Sequence, residues 1–430
     1  MSWLEHYHKN LKSADEAVKV IESGDRVVLG HACGEPRILP EAMVKRAKDL
    51  NDVEVVHMVA IGQAAYCRPG MEKHFRHNSL FAGGATRRAI GEGRADYTPC
   101  FFSEIPSLFG KSLPVDVALV QVSPPDKHGF CSLGISVDYT RSIVEYARTV
   151  IAEVNPHMPR TYGDSFVRVE DIDCFVPSEE PLYELPGPQI GPVEEAIGRS
   201  VAGLVEDGSC LQLGIGAIPD AVLGFLKDRR DLGIHSEMFS DGVLDLVEAG
   251  VVTGQKKKLH RGKLVATFLM GTTRLYQWVH ENPQVRMYTV DYINDPYVIA
   301  QNDNAMSINS ALQVDLMGQV CADTLGPLQY SGVGGQVDFI RGAARSRGGK
   351  SIIALPSTAM GGKVSRIVCG LDPGSAVTTS RNDVHYVVTE YGAAELRGKT
   401  VRQRIKSMID ISHPSFRESL TAEARLNYKI

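Results

Sequence analysis

The chain has 430 residues, of which 43% are hydrophobic and 23% charged, and its formal net charge is −5. One hydrophobic core stops growing near ~250–300 residues, so two domains are expected. The acidic balance argues against a general nucleic-acid binder, which carries a basic face, and no apolar run approaches the ~20 residues that span a bilayer.

The first residues, 1–12, are polar and carry both charge signs. They lack the apolar core of a secretory signal, so a cytosolic protein without membrane attachment is expected. Ser13 is placed to cap a helix over 14–23. Short runs rich in Val, Ile and Leu then alternate with helical patterns. The runs are 26–29, 53–59, 115–122, 150–154 and 174–176, then 210–213, 263–269, 285–290, 351–355 and 385–388. Continuous apolar runs of this length suit strands buried on both faces. Alternation with helices predicts an α/β protein with an open sheet in each half. A proline-rich, acidic stretch at 178–193 without apolar period reads as a linker. The expected domains are 1–185 and 186–430.

Eight cysteines are scattered, and no two form a Cys-x-x-Cys pair. Neither a zinc ribbon nor a thioredoxin-type site is indicated, and reduced, buried thiols are expected. No histidine spacing suggests a metal site.

Three segments stand out for chemistry. Gly214-Ile215-Gly216-Ala217-Ile218-Pro219 follows the run 210–213 and precedes a helix expected over 219–228. Such a turn brings backbone close to a ligand and offers helix N-terminal N–H groups to an anion. On its own it reads more often as a tight strand-to-helix turn, and Pro219 stands where a dinucleotide fingerprint needs its third glycine. Next, Gly233-Ile234-His235-Ser236-Glu237-Met238 puts Glu237 at or just past a strand's carboxyl end, where ligands bind in open α/β sheets. On spacing alone, a glutamate there is more often a cap or an ion-pair partner. Third, Gly332-Val333-Gly334-Gly335 offers a surface free of side chains, for a ligand arm or simply a flexible loop.

Taken in order, these segments and Ser307-Ile308-Asn309-Ser310-Ala311-Leu312 resemble the class I CoA-transferases of the acetyl-CoA hydrolase/transferase family, nearest to its 4-hydroxybutyrate and butyryl-CoA:acetate branch. The resemblance covers essentially the whole chain. It includes Gly30-His31-Ala32-Cys33-Gly34-Glu35-Pro36, Arg76-His77-Asn78-Ser79 and Met158-Pro159-Arg160-Thr161, and reaches Glu390-Tyr391-Gly392. It implies two open α/β CoA-transferase domains with the active site at their interface.

The resemblance also implies a chemistry. Glu237 attacks an acyl-CoA thioester to give a mixed anhydride, and the released CoA thiolate converts it to a glutamyl-CoA thioester. An incoming carboxylate runs the sequence in reverse, so the kinetics are ping-pong. Coenzyme A is then substrate and covalent intermediate, with no tightly bound cofactor and no metal. The oxyanion and CoA contacts are expected from Gly214, Ile215, Gly216, Ala217, Ile218, Asn309, Gly332, Gly334, Gly335 and Lys363. His31 and Glu35 are candidates for the acid's pocket, although a satisfied structural role is the default for each histidine. The basic run Lys256-Lys257-Lys258 with His260 and Arg261 is either a solvated face or a CoA-phosphate contact. A homodimer or tetramer is expected. Alternatives are an acyl-CoA hydrolase on the same scaffold, or a CoA-binding protein without turnover.

Overall fold

The computed structural model describes residues 2–429. The chain forms two compact units. The first comprises residues up to Leu185 with Val265–Ile293 and Gln329–Gly332; the second comprises Pro186–Leu264, Asn294–Leu328 and residues from Val333 onward.

The first unit is built on a seven-stranded sheet. Its strands Arg26–Leu29, Val53–His57, Phe75–Ser79, Ala95–Tyr97, Val117–Val122, Thr149–Val154 and Cys174–Pro177 all run parallel. Arg26–Leu29 lies in the interior, with Val53–His57 on one side and Val117–Val122 on the other. The chain thus winds outward first one way and then the other. The strand order reverses beside Arg26–Leu29, and open α/β sheets bind ligands at the carboxyl ends of strands at such a reversal. All six residues of Val117–Val122 are buried, as expected of a central parallel strand covered on both faces. Each fully buried Val, Leu or Ile contributes ~1.5–3 kcal/mol relative to exposure.

The second unit carries four parallel strands, Cys210–Leu213, Ala305–Ser310, Lys350–Ala354 and Tyr386–Thr389, in that order. Gly392–Glu395 closes one edge antiparallel. On the other side of Cys210–Leu213 the chain first runs parallel as Gly233–Ile234, then turns and returns antiparallel as Met238–Phe239. A core of Val314, Ile340, Ile353, Leu355, Val387, Ile405 and Met408, all fully buried or nearly so, fills the space beneath this sheet.

Several local expectations shift. The helix after Ser13 is shorter than its pattern: Ser13 caps Ala14–Ala17 with a reciprocal Glu16 bond, but Val18, Val20 and Ile21 bring β-branched crowding and the chain tightens to a 3₁₀ turn. The second expected helix runs Ala217–Gly224, not 219–228. It starts at once after Gly216, and Pro219 fits its first turn because no intrahelical donor is needed there. The run 263–269 is two short strands, Leu264–Ala266 and Phe268–Leu269, not one. The stretch 178–191 has no helix or strand. All eight cysteines are free thiols, and only Cys100 is not buried. No helix among the described residues is long and apolar enough to cross a membrane.

Candidate active site

Glu237 lies in the turn between Gly233–Ile234 and Met238–Phe239, at the carboxyl end of Cys210–Leu213. Ser236 fixes that turn. It is 1% exposed, and its hydroxyl donates to the Leu213 carbonyl and accepts from the Leu213 amide, both at 3.3 Å. The residue before Glu237 is therefore bound to the residue before Gly214. His235, buried at 3% exposure, packs edge-on to Phe339 with ring centres 6.3 Å apart. It is a core side chain.

The carboxylate of Glu237 is half-buried. Asn294 Nδ2 donates to Glu237 Oε2 at 2.8 Å, and Asn294 itself is fully buried. It stands just before Asp295, whose side chain caps the one-turn helix Pro296–Ile299 by accepting from the Tyr297 amide. That helix packs on Gln336–Arg345. Asn294 Oδ1 is buried and has no hydrogen-bond partner among the described residues. Leaving an acceptor unmade costs ~1–3 kcal/mol, which marks a position kept for something other than stability.

The third glycine loop meets the same carboxylate. Gly335 is the N-cap of Gln336–Arg345. A methyl group built on Gly335 would collide with both Glu237 Oε2 and Asn294 Nδ2. Only a residue without a side chain lets the helix start approach the carboxylate this closely. A helix N-terminus also favours negative charge, including charge that develops on an oxygen during reaction.

Behind Glu237 the two central strands carry a polar ladder. Gln212 and Ser307 face each other in register. Gln212 Oε1 accepts from Ser307 Oγ at 2.9 Å and from Asn309 Nδ2 at 3.1 Å. Asn309 Nδ2 also donates to Ser307 Oγ at 2.8 Å, and Gln212 Nε2 donates to Asn309 Oδ1 at 3.3 Å. Asn309 Nδ2 is thus shared between two acceptors inside the ladder, with the side chain only part-buried.

The other expected contacts fall as follows. Gly214 and Gly216 are open, with nothing within 4 Å of an added Cβ, and Gly216 has φ +119°. Ile215 is 45% exposed. Ala217 and Ile218 form the first turn of their helix. Gly334 adopts φ +55°. Gly332 belongs to the other unit, where an added Cβ would press on the Phe81 ring at 2.6 Å. Lys363 is exposed beside Gly361 and Gly362, at the tip of the hairpin Thr358–Ala359 and Val364–Ser365.

The basic run is neither uniformly solvated nor uniformly available to phosphate. Lys257 is 5% exposed. Its ammonium donates to the carbonyls of Ile234 at 2.7 Å and Lys263 at 2.8 Å. Burial lowers its pKa to about 8. It thereby braces the strand that leads into Glu237. Sequence reasoning missed both this role and Asn294. A lysine between two lysines looks like surface, and an asparagine 57 positions from Glu237 gives no pattern at all.

His31 and Glu35 follow the first unit's strand Arg26–Leu29, but they face different surroundings. His31 is fully buried. Its Nδ1 lies 3.2 Å from Asp138 Oδ2, and its ring packs on Phe102, Tyr139 and Phe268. Glu35 lines a cavity of about 280 Å³ within the first unit, and His31 does not. Among the described residues no group of three or more His, Cys, Asp or Glu side chains is placed to hold a metal ion.

Comparison with known proteins agrees with this architecture. Residues 1–183 match the acetyl-CoA hydrolase/transferase N-terminal domain, and residues 271–424 match the C-terminal domain of the same family. The chain is 61% identical to a 4-hydroxybutyrate coenzyme A transferase of Clostridium kluyveri over the full length of both. It is 39% identical to a butyryl-CoA:acetate CoA-transferase of Anaerostipes caccae, covering 99% of this chain and 98% of the other. Among solved structures, RipA from Yersinia pestis superposes with a TM-score of 0.96 at 40% identity, covering all of both chains. A 4-hydroxybutyrate CoA-transferase from Porphyromonas gingivalis gives 0.86 at 43% identity, over 99% of this chain and 100% of that one. With both family domains matched in order and full-length relatives well above 30% identity, the chain belongs to the acetyl-CoA hydrolase/transferase family.

Proposed function

We propose that the protein transfers coenzyme A between a short-chain acyl-CoA and a free carboxylate, with Glu237 as the covalent nucleophile. The observation that carries this reading is the Glu237 carboxylate, held by Asn294 and approached by the N-cap glycine of Gln336–Arg345. The relatives named above act on 4-hydroxybutyrate and on butyryl-CoA with acetate. Acids of that size are the proposed substrates.

In this mechanism a Glu237 oxygen attacks the thioester carbonyl, the C–S bond breaks, and CoA leaves as thiolate. The thiolate then attacks the glutamyl carbonyl of the resulting anhydride, and the donor acid departs as carboxylate. A second acid attacks the glutamyl-CoA thioester, and the same steps run backward to release a new acyl-CoA. A carboxylate is needed because the residue must become in turn an anhydride and a thioester. A serine would stop at an ester, and an aspartate would fall about one methylene short.

Each tetrahedral intermediate carries an oxyanion. Backbone N–H groups at the start of Gln336–Arg345 and in the open Gly214–Gly216 turn are the proposed donors, each contributing roughly 3–4 kcal/mol. Asn294 holds one Glu237 oxygen and so orients the attacking carboxylate. The Gln212–Ser307–Asn309 ladder keeps the adjoining strand ends in register. Binding of the distant ADP–pantetheine arm supplies energy for strain at the reacting carbon.

Steady-state exchange tests the reading. Turnover of butyryl-CoA is expected to require acetate, and double-reciprocal plots at several acetate concentrations are expected to be parallel. Equal turnover without any acid would instead assign the chain to hydrolysis.

A further inference from the structure

The helices Val401–Asp410 and Pro414–Tyr428 enclose a groove of about 330 Å³ in the second unit. Ligand pockets begin near this size, at ~300 Å³. Residues 397–429 carry eight Lys or Arg and three Asp or Glu, in a chain whose net charge is −5. The groove concentrates that contrast. Arg402, Lys406 and Arg425 line it and are exposed, while Ile405 and Ala424 are buried in its floor and Ile409 half-buried. Asp410 is its one carboxylate, and Glu418 and Glu423 are not in its wall.

These charges oppose the stability of the helix that carries them. Arg402 stands in the first turn of Val401–Asp410 and Asp410 in its last. A helix dipole favours the reverse, acid at the start and base at the end. Arg402 and Lys406 are also four positions apart on this helix, where like charges repel. Among the described residues, no ion pair or side-chain hydrogen bond of Arg402, Lys406, Arg425 or Asp410 offsets this. The groove also lies away from Glu237. Gly392–Glu395 runs antiparallel to Tyr386–Thr389 and so ends at that strand's amino end. Val401–Asp410 starts there, and Arg404 donates to the carbonyl of Arg381, just ahead of the same strand. The helix ends at the opposite edge, where Thr389 Oγ1 donates to the Ile411 carbonyl. Arg402 therefore lies toward the amino ends of the parallel strands, whereas Glu237 is at the carboxyl end of Cys210–Leu213 in the same sheet.

The lining sets the chemistry of an occupant. Arg402 and Asp410 are separated by ~12 Å along the helix, at ~1.5 Å per residue. A molecule spanning the groove meets cations toward one end, apolar side chains between, and a carboxylate toward the other. Three cations suit more than one phosphate, and each guanidinium fork can bind phosphate through two N–H groups. Toward the groove Asp410 can only accept hydrogen bonds. So can Thr421 in its wall, whose hydroxyl donates to the Arg417 carbonyl at 2.7 Å. Both call for a donor, such as an exocyclic amine. A flat aminopurine joined through ribose to a chain of phosphates has these parts in this order. A short-chain acid has a single anionic group and no donor for Asp410.

We propose that this groove binds an aminopurine nucleotide with two or more phosphates, its phosphates on Arg402, Lys406 and Arg425 and its base amine on Asp410. The proposal rests neither on Glu237 nor on the transferase reading.

Isothermal titration of the full chain tests it with ADP, IDP and inorganic triphosphate as probes. ADP is expected to bind, and the double variant Arg402→Gln with Arg425→Gln to weaken it about tenfold or more. IDP lacks the exocyclic amine and is expected to bind about tenfold more weakly than ADP. Asp410→Ala should abolish that difference. CoA exchange measured without nucleotide should be unchanged in every variant. Melting curves identify any variant that has lost its fold, and the comparison of ADP with IDP on the wild type keeps the test open if one has. Absence of ADP binding at millimolar concentration, an affinity unchanged in the double variant, or IDP or triphosphate binding as tightly as ADP would each overturn the proposal. Sedimentation with phosphatidylglycerol vesicles in place of ADP binding would overturn it too and would assign the face to a membrane surface.

Discussion

Asn294 and Glu237, 57 positions apart in sequence, are joined by a 2.8 Å hydrogen bond from a fully buried amide to a half-buried carboxylate. The bond fixes the orientation of the carboxylate in its turn. Asn294→Ala is expected to lower kcat for CoA transfer by about 10²-fold, the size of effect that follows from misplacing a reacting group by about 1 Å, with KM changed little. Asn294→Asp should be worse, because two adjacent carboxylates share a proton and a protonated Glu237 is a poor nucleophile. Initial rates against acyl-CoA concentration separate the two parameters.

Gly335 gives a prediction of steric kind. A side chain there must push Glu237 or Asn294 away. Gly335→Ala is expected to cost 10²-fold or more in kcat while the protein stays folded. Gly224→Ala serves as the control. It lies at a helix end with nothing within 4 Å of an added Cβ, and it should keep full activity and gain up to about 0.5–1 kcal/mol of stability.

Lys257 predicts an alkaline feature in stability. Its folded pKa of about 8 lies below the unfolded value, which is ~10.4. Between these two values the unfolded chain holds a proton that the folded chain has released. Stability therefore rises with pH across that window, and it is lost again as pH falls through 8. The full effect is about 3 kcal/mol. Urea unfolding from pH 7.5 to 10.5 should show this rise, and Lys257→Met should remove it. Because Lys257 also holds the Ile234 carbonyl, the same variant is expected to lower kcat several-fold.

Glu35 predicts a feature of opposite sign at lower pH. Its folded value of about 8 lies above the unfolded one, which is ~4.3. The folded chain keeps a proton that the unfolded chain gives up, so stability is greatest below the unfolded value and declines as pH rises toward 8. Glu35→Gln keeps the shape and removes the titration, and the one backbone N–H of Ile61 or Gly62 that its amide nitrogen cannot accept from costs the same at every pH. The difference between wild type and this variant should grow in the variant's favour from pH 5 to 8.

Much of this was legible in the sequence because burial on both faces forces apolar runs. Arg26–Leu29, Val117–Val122, Cys210–Leu213 and Tyr386–Thr389 all fall where such runs occur. Glu237 stood out because a strand pattern breaks into polar residues at its position, and the structure puts it at that turn. Other features depend on tertiary placement. Lys257 reads as surface among charged neighbours, but its stem lies under Gly233, where an added Cβ would meet its Cγ at 2.5 Å. Asn294 precedes only a single helical turn, and no periodicity marks it. His31 and Glu35 look alike in one short motif, yet one is sealed among aromatic rings and the other faces a cavity. A four-residue separation in an irregular segment sends side chains in directions that no sequence period specifies.

The central claim is that Glu237 becomes covalently attached to coenzyme A. It is tested most directly by incubating the protein with butyryl-CoA, reducing with borohydride, and mapping the peptides by mass. Reduction of the Glu237 carboxyl to an alcohol, absent without butyryl-CoA, is the expected result. An active, butyryl-CoA-treated enzyme whose Glu237 peptide keeps its original mass would contradict the account.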